Sequence, residues 1–184
     1  MQPDIISLVS TQPTTIEFSR NLATSLMDNI EVRPIQDNLE LNQMFYQRWL
    51  VLRAPLNMEL GTEKDSYEDS AFHLIAICNN KIVGSARLRE LSTELGSIAY
   101  VAVLPEFQNQ GIGTKLIKKL LETAKDKKLK HLRLRSRISA FNFYQKLGFS
   151  PEGEVFDYLG IPHILMHLNI PASLKSGGDF PQST

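Results

Sequence analysis

A short segment in the middle of the chain combines residue types that bind phosphate. Residues 108–113 read Gln-Asn-Gln-Gly-Ile-Gly, and they lie between Pro105 and an amphipathic run that begins at Ile112. A helix that opens with glycines leaves several backbone N–H groups without partners and lets an anion approach them closely. The helix dipole favours negative charge at the same end. The segment therefore predicts a phosphate-binding loop at the start of a helix.

Three kinds of phosphate-binding loop place glycines in this way, and two of them do not fit. A Walker A loop requires G-x-x-x-x-G-K-[ST], but no glycine precedes Gly111 at that distance and Lys115 is displaced. A dinucleotide-binding fingerprint requires a third glycine, which is absent after Gly113. What remains is the pattern Gln-x-x-Gly-x-Gly. An ATP-binding enzyme ranks last among the alternatives, since no acidic metal ligand pairs with the loop.

The elements on either side of the loop must hold it in place. Residues 100–104 are a continuous apolar run, typical of a strand covered on both faces, and apolar residues at helical spacing predict a helix from Ile112 to about residue 126–128. Asn79 and Asn80 predict a type I′ hairpin turn. The other predicted elements are strands at 31–35, 72–78, 81–90, 97–104, 131–136, 149–159 and 163–168 and helices at 39–53 and 140–146. This order predicts a mixed α/β layer architecture.

Composition narrows the class of protein. The chain has 20 Lys plus Arg and 20 Asp plus Glu, so its formal net charge is +0, which argues against extended nucleic-acid binding. The single cysteine, Cys78, cannot form an internal disulfide, and no His/Cys cluster has metal-ligand spacing. No signal-peptide pattern and no apolar run of membrane-spanning length is present. We therefore expect a cytoplasmic protein with no metal, no nucleic-acid partner and no membrane partner.

A second motif gives the loop a specific context. Residues 140–149 read A-x-x-F-Y-x-x-x-G-F, and one predicted strand separates them from the helix that follows the loop. The two motifs in this order resemble those of the GCN5-related N-acetyltransferase (GNAT) superfamily, over roughly residues 31–169. Further residues, 53–56, 63–65 and 160–163, resemble a bacterial subgroup of mostly uncharacterised acetyltransferases.

The resemblance implies a fold and a cosubstrate. The fold would be the GNAT fold, α/β (α+β), with a mixed central sheet of six to seven strands flanked by about four helices. It would form a single domain at 31–170, between an N-terminal extension at 1–30 and a flexible C-terminal tail at 171–184. The cosubstrate would be acetyl-CoA. The implied contacts are backbone pairing of pantetheine with Val101, Ala102 and Val103, pyrophosphate on the amides of Gln108, Asn109, Gln110, Gly111, Ile112, Gly113 and Thr114, and further contacts from Asn142 and Tyr144.

The same resemblance implies direct attack of an amine on the thioester. Tyr144 would protonate the departing thiolate, and a backbone N–H of the fourth strand would stabilise the oxyanion. Many relatives have a glutamate base where this chain has Ser97, and an asparagine that contacts the cofactor where it has Arg137. The candidate bases are therefore Glu90, His163 and His73. His163 follows a proline turn at the expected mouth of the substrate cleft, and histidine is suited to proton transfer near neutral pH.

The sequence thus predicts an acetyl-CoA-dependent N-acetyltransferase that acts on a primary amine of a small molecule or a protein. The alternative is a sensor module of GNAT fold that binds acyl-CoA without turnover, because Ser97 cannot act as a base. Arg53, Arg87 and Arg89 are candidates to bind a carboxylate on the acceptor. Dimers through the C-terminal strands are common among relatives, so the resemblance also allows a homodimer.

Overall fold

One mixed sheet organises the part of the chain that the structure describes, a computed structural model of residues 30–171. Its strands are β1 (Glu31–Pro34), β2 (Phe72–Cys78), β3 (Lys81–Glu90), β4 (Leu95–Val103), β5 (His131–Arg137), β6 (Ser150–Tyr158) and β7 (Ile161–Asn169). The helices are α1 (Asn38–Leu52), α2 (Ile112–Asp126) and α3 (Phe141–Lys146). Residues 1–29 and 172–184, on which most of the predicted extension and tail fall, lie outside the described residues.

The strand order is β1-β2-β3-β4-β5-β7-β6. Neighbouring strands are antiparallel except for β4 and β5, which are parallel. This confirms the expected mixed sheet, and the number of strands is seven, the upper end of the expected six to seven. A parallel pair needs a crossover connection, and here α2 supplies it between β4 and β5.

Local sequence signals account for several element boundaries. The Asp37 carboxylate accepts a hydrogen bond from the backbone N–H of Glu40 at 2.8 Å, which caps α1. Asn79 and Asn80 have φ of 48° and 61°, which confirms the type I′ turn between β2 and β3. Pro34 ends the edge strand β1, where its missing N–H removes no central ladder bond.

The helices pack on opposite faces of the sheet. One face carries the larger apolar cluster, in which Leu116, Ile117 and Leu120 of α2 are fully buried. The other face carries α1, whose Met44 and Phe45 pack on β2 and β3. Each buried aliphatic or aromatic side chain contributes about 1.5–3 kcal/mol, so both helices are fixed mainly by this burial. The loop that precedes α2 is therefore held at one end of the sheet.

The described residues contain three helices, where the resemblance implied about four. Residues 54–70 form only two short 3₁₀ turns, Ala54–Leu56 and Glu68–Ser70, because Pro55 cannot continue a helix and Asn57 has a left-handed φ of 55°. The helix predicted at 140–146 is α3, which begins one residue later, at Phe141, because a 3₁₀ turn occupies Ile138–Ala140. None of the helices described is both long and apolar enough to cross a membrane.

Buried charges anchor the 54–70 segment to the sheet. Arg48 of α1 has 0% of its surface exposed, and its guanidinium donates to Glu68 at 3.1 Å. Glu68 also accepts from Arg87 of β3 at 2.8 Å. Burial lowers the pKa of Arg48, and Glu68 opposes that effect. Removing one partner from such a buried pair typically costs about 3–5 kcal/mol, so these contacts fix the segment that borders the site.

Candidate active site

The parallel strands at the centre of the sheet separate part of the way along. β4 and β5 pair only where Leu95–Ile98 lies beside His131–Leu134, yet β4 continues to Val103 and β5 to Arg137. A cleft of about 1110 Å³ opens between and beside them. Backbone groups on the facing sides of the two strands thus have no strand partner there, and an extended ligand with amide groups can pair with them.

A β-bulge in β4 lies at the point of separation. The register with β3 shifts so that Tyr100 and Val101 together oppose Ala86. Tyr100 has a φ of 53°, a left-handed conformation that a bulky side chain rarely adopts. Bulges bend a strand and redirect its side chains, and they are frequent beside active sites. The bulge turns β4 away from β5 and exposes its backbone to the cleft.

The glycine loop lies at the end of the cleft where β4 stops. The first backbone hydrogen bond of α2 joins the Lys115 N–H to the Gly111 carbonyl at 3.0 Å. The amides of Ile112, Gly113 and Thr114 precede that bond and donate to no backbone carbonyl within residues 30–171. These are the free N–H groups of a helix start, where partial positive charge favours an anion.

The two glycines have different structural roles. Gly111 is the N-cap of α2 and has a φ of +77°, a conformation that glycine adopts without strain. A Cβ at Gly113 would lie 3.2 Å from the Phe143 ring, so this glycine lets α2 approach α3 closely. Gln108 turns its side-chain amide back to the Val103 carbonyl at 2.9 Å, which fixes the loop to the end of β4.

Tyr144 lines the cleft from α3. Its ring packs edge-to-face against Phe143 and Phe149, with centroids 4.9 Å and 5.9 Å away. Burial raises the pKa of Tyr144, so the phenol is protonated throughout the neutral range. A buried phenol held by two aromatic rings is a rigid proton donor, and the same shift makes it a poor base.

His163 lines the cleft from β7. Its Nδ1 lies 2.8 Å from the Ile161 carbonyl, which can only accept, so Nδ1 carries the proton and Nε2 holds the lone pair. The ring stacks on Phe156 and meets the Tyr158 ring edge-on. This environment fixes the tautomer and orientation that a general base requires.

The structure brings most of the predicted site residues together and leaves others outside. The cleft is lined by Val101, Ala102, Val103, Gln108, Asn109, Gly111, Ile112, Gly113, Thr114, Tyr144 and His163. Gln110 and Asn142 do not line it, and the Gln110 side chain binds the Glu106 carbonyl instead.

Two of the three candidate bases lie outside the cleft. Glu90 is the last residue of β3, where it pairs with Lys127 at 2.6 Å, and it does not line the cleft. His73 is buried, and its Nε2 lies 2.9 Å from the Glu68 carbonyl. Burial lowers the pKa of His73, so it is a neutral structural residue. Of the three, only His163 borders the cleft.

One wall of the cleft is formed by side chains that contact one another, and the sequence did not predict these contacts. Asp65 accepts two hydrogen bonds from Arg87, at 2.7 and 2.8 Å, and these lower the pKa of its carboxyl to about 2. The Tyr100 hydroxyl donates to the same carboxylate at 3.2 Å. The guanidinium carbons of Arg48 and Arg87 lie 4.3 and 4.6 Å from the centre of the Tyr100 ring. Arg87 is therefore occupied within the protein. These contacts join residues far apart in sequence, and no local pattern signals them.

Three further side chains reach the cleft without having been singled out as acceptor contacts. They are Arg133, Arg135 and Tyr158, and the alternation of side chains along β5 places the two arginines on one face of the sheet. Within residues 30–171, no three His, Cys, Asp or Glu side chains lie close enough together to hold a metal ion.

Comparisons with known proteins agree with this geometry. The family model described as acetyltransferase (GNAT) family matches residues 37–149. A presumed acetyltransferase of Bacillus subtilis is 26% identical over 140 residues, which are 74% of this chain and 95% of that protein. The crystal structure of Escherichia coli ElaA has a TM-score of 0.69 and 26% identity, and covers 76% of this chain and 99% of its own.

A further structure was solved with a ligand. It is a GNAT family acetyltransferase from Elizabethkingia anophelis with acetyl-CoA bound, with a TM-score of 0.58 and 25% identity, covering 77% of this chain and 99% of its own. Both structures share the fold described here over nearly their whole length.

Proposed function

We propose that this chain, which belongs to the GNAT acetyltransferase family, transfers an acetyl group from acetyl-CoA to a primary amine. The observation that carries the proposal is the separation of β4 from β5 directly before a loop of free helix-start amides. A thioester with a long amide-containing arm and a pyrophosphate matches both features in that order. Acetyl-CoA bound to the Elizabethkingia relative supports the choice of cosubstrate.

The residues of the cleft suit binding of the cosubstrate. The amides of Ile112, Gly113 and Thr114 would hold the pyrophosphate, because Gly111 adds no side chain in front of them. The exposed edge of β4 from Val101 to Val103 would pair with the pantetheine amides and so fix the position of the thioester. Binding at two separate points orients the reacting carbonyl, which lowers the entropic part of the barrier.

The chemistry then needs a base and an acid on the two sides of the thioester. The Nε2 lone pair of His163 would remove the proton from the attacking amine, directly or through water. The amine nitrogen attacks the thioester carbonyl, the C–S bond breaks, and Tyr144 gives its proton to the thiolate. A backbone N–H at the β4 bulge would stabilise the oxyanion.

The test is calorimetric titration of the purified protein with acetyl-CoA, with ATP and NAD as controls, followed by thiol release with a panel of amines. We expect acetyl-CoA to bind in the micromolar range or tighter, ATP and NAD to show no binding, and at least one amine class to release thiol above the blank rate. Binding of acetyl-CoA with thiol release at the blank rate across the panel would instead favour the sensor function. A preference for ATP would refute the assignment of the loop.

The role of His163 is tested by His163→Gln. We expect kcat/KM at pH 7 to fall about 100-fold, the usual contribution of a general base. The deficit should shrink as the pH rises, because a larger share of the amine is then already neutral. A thiol-release assay repeated from pH 6 to pH 10 measures both the fall in kcat/KM and its dependence on pH. A deficit that stays constant over this range would show that His163 has a structural role only.

A further inference from the structure

The cleft as a whole carries an excess of positive charge. Among the cleft-lining residues of the range 30–171, six are arginines, whereas Asp65 is the only carboxylate and is already bound to Arg87. The other five form no ion pair with any carboxylate of residues 30–171; they are Arg53, Arg89, Arg133, Arg135 and Arg137. The whole chain is neutral, so this is a local concentration of charge. It favours an anionic ligand in the cleft.

Two of these arginines lie beside each other on the sheet. Ser97 of β4 is in register with Arg89 of β3 on one side and Arg133 of β5 on the other. Neighbouring strands are about 4.8 Å apart, so the two arginines start about 10 Å from each other with a hydroxyl between them. Paired positions on adjacent strands project to the same face. Two guanidinium groups on stems of this length can therefore meet on a single carboxylate.

Their face of the sheet is the one opposite α2. The residues next to them in sequence, Leu88, Leu132 and Leu134, belong to the apolar cluster beneath α2. Because side chains alternate along a strand, Arg89 and Arg133 face away from α2 and its loop. They thus border the part of the cleft that an acceptor would enter.

The phosphates of CoA do not account for this pair. The glycine loop begins beyond Val103, and six residues of strand from Ser97 to Val103 span about 20 Å. A cosubstrate with its pyrophosphate on the loop can approach Ser97 only with its uncharged thioester end. Arg137 and Arg53 lie nearer the loop end and do not belong to this pair.

Arg89 is also held in a fixed position. Its guanidinium carbon lies 3.8 Å from the centre of the Tyr67 ring, and the Tyr67 N–H is bound by Asp65 at 2.9 Å. Stacking on a ring orients a guanidinium but leaves the donors at its edge available. The Arg89 guanidinium donates no hydrogen bond to any residue that the structure describes, so these donors are available to a ligand.

We propose that Arg89 and Arg133, with the Ser97 hydroxyl between them, form a carboxylate-binding subsite that selects acceptor amines carrying at least one carboxylate. This inference rests on the proposed acetyl transfer, because the bound carboxylate is taken to belong to the acceptor of that reaction. The bulge at Tyr100 marks the position of the thioester, three residues or about 10 Å from Ser97. Because arginine side chains are long, their guanidinium groups can lie closer to the thioester than Ser97 does. One acceptor can therefore place its amine at the thioester and its carboxylate on the guanidinium groups. A small amino acid and a peptide with an acidic N-terminus share this chemistry.

The first measurement compares matched acceptors in the thiol-release assay. L-Glutamate is paired with its fully amidated form, and a peptide with acidic N-terminal residues is paired with the same peptide carrying amidated side chains. We expect kcat/KM to favour the carboxylated member by about tenfold or more. The pair that shows turnover identifies a small or a peptide acceptor. Equal kcat/KM within both pairs would overturn the proposal.

The second measurement uses the double variant R89Q/R133Q, with R133K as the conservative change. For the carboxylated acceptor we expect KM to rise about tenfold or more with kcat nearly unchanged, substantial retention in R133K, and no change for the amidated acceptor. The affinity for acetyl-CoA should stay at the wild-type value. Lys146→Gln, which removes a positive charge exposed outside the cleft, is the matched control. An unchanged KM in the double variant would contradict the subsite.

A binding experiment separates this inference from the proposed function. Glutarate, with glutaramide as its neutral control, is titrated into CoA-saturated protein by calorimetry. Glutarate binding that is lost in R89Q/R133Q would establish the subsite even if every amine fails as an acceptor, in which case only the proposed acetyl transfer would fall. No glutarate binding, or equal binding to wild type and double variant, would refute the subsite.

Discussion

Gly111→Asp is expected to weaken acetyl-CoA binding by at least about 100-fold while the protein stays folded. The substitution places a carboxylate at the N-cap of α2, in front of the amides proposed to hold the pyrophosphate. Two like charges about 4 Å apart repel by about 4 kcal/mol in a partly screened environment, which is more than 100-fold in affinity. The side chain has room, because a Cβ at this position meets no atom within 4 Å.

The backbone of Gly111 requires a matched control. Its φ of +77° is strained for any side chain, although aspartate and asparagine tolerate it better than most residues. Gly111→Asn has the same shape and a similar backbone cost but carries no charge, so we expect its affinity to stay within about tenfold of wild type. Calorimetry gives the two affinities, and circular dichroism with thermal melting verifies that both variants fold. Equal affinities for Asp and Asn at position 111 would remove the loop as the phosphate site.

Salt provides an independent check on the same variant. Exposed charges are screened over about 8 Å at physiological ionic strength and over about 3 Å at 1 M. Gly111 is exposed, so the difference between the Asp and Asn variants should narrow as salt is added. A steric or conformational cause would leave that difference unchanged.

Tyr144→Phe is expected to lower kcat by about 100-fold and to leave the affinity for acetyl-CoA within about threefold. The substitution removes only the hydroxyl, so the ring still packs between Phe143 and Phe149 and the fold is preserved. The thiolate must then leave without a proton from the protein, which raises the barrier of that step alone. Single-turnover thiol release measures the chemical step, and calorimetry measures the affinity.

The pH profile of the wild-type enzyme tests the same assignment. Burial raises the pKa of Tyr144, so the acid form persists to higher pH than for an ordinary tyrosine. The kcat profile should therefore show no loss from Tyr144 ionisation up to about pH 10, the ordinary value for tyrosine. Tyr46→Phe, on the exposed side of α1 and outside the cleft, should behave as wild type. Unchanged kcat in Tyr144→Phe would exclude Tyr144 as the acid.

The choice of the candidate base shows what residue positions in the sequence can predict and what they cannot. The sequence favoured His163 over Glu90 and His73, because it follows a proline turn at the expected mouth of the cleft, but it could not exclude the other two. The structure separates them by their surroundings: Glu90 is bound to Lys127, His73 is buried against the Glu68 carbonyl, and His163 lines the cleft with its Nδ1 bound to the Ile161 carbonyl. Which partner a side chain meets depends on strand register and helix packing, and neither is visible in a single sequence.

The sequence by itself determined the glycine loop, the helix after it and the individual strands, because each depends on local residue types and periodicity. Glycines before an amphipathic run fix where a helix starts with free amides, and alternating or continuous apolar residues fix the strands. Only the tertiary structure decided the bulge at Tyr100, since no glycine marks it. The tertiary structure also decided the row of Arg89, Ser97 and Arg133, because it aligns three strands from separate parts of the chain. Long-range register is set by the packing of the whole sheet, so this row of side chains forms only when the chain folds.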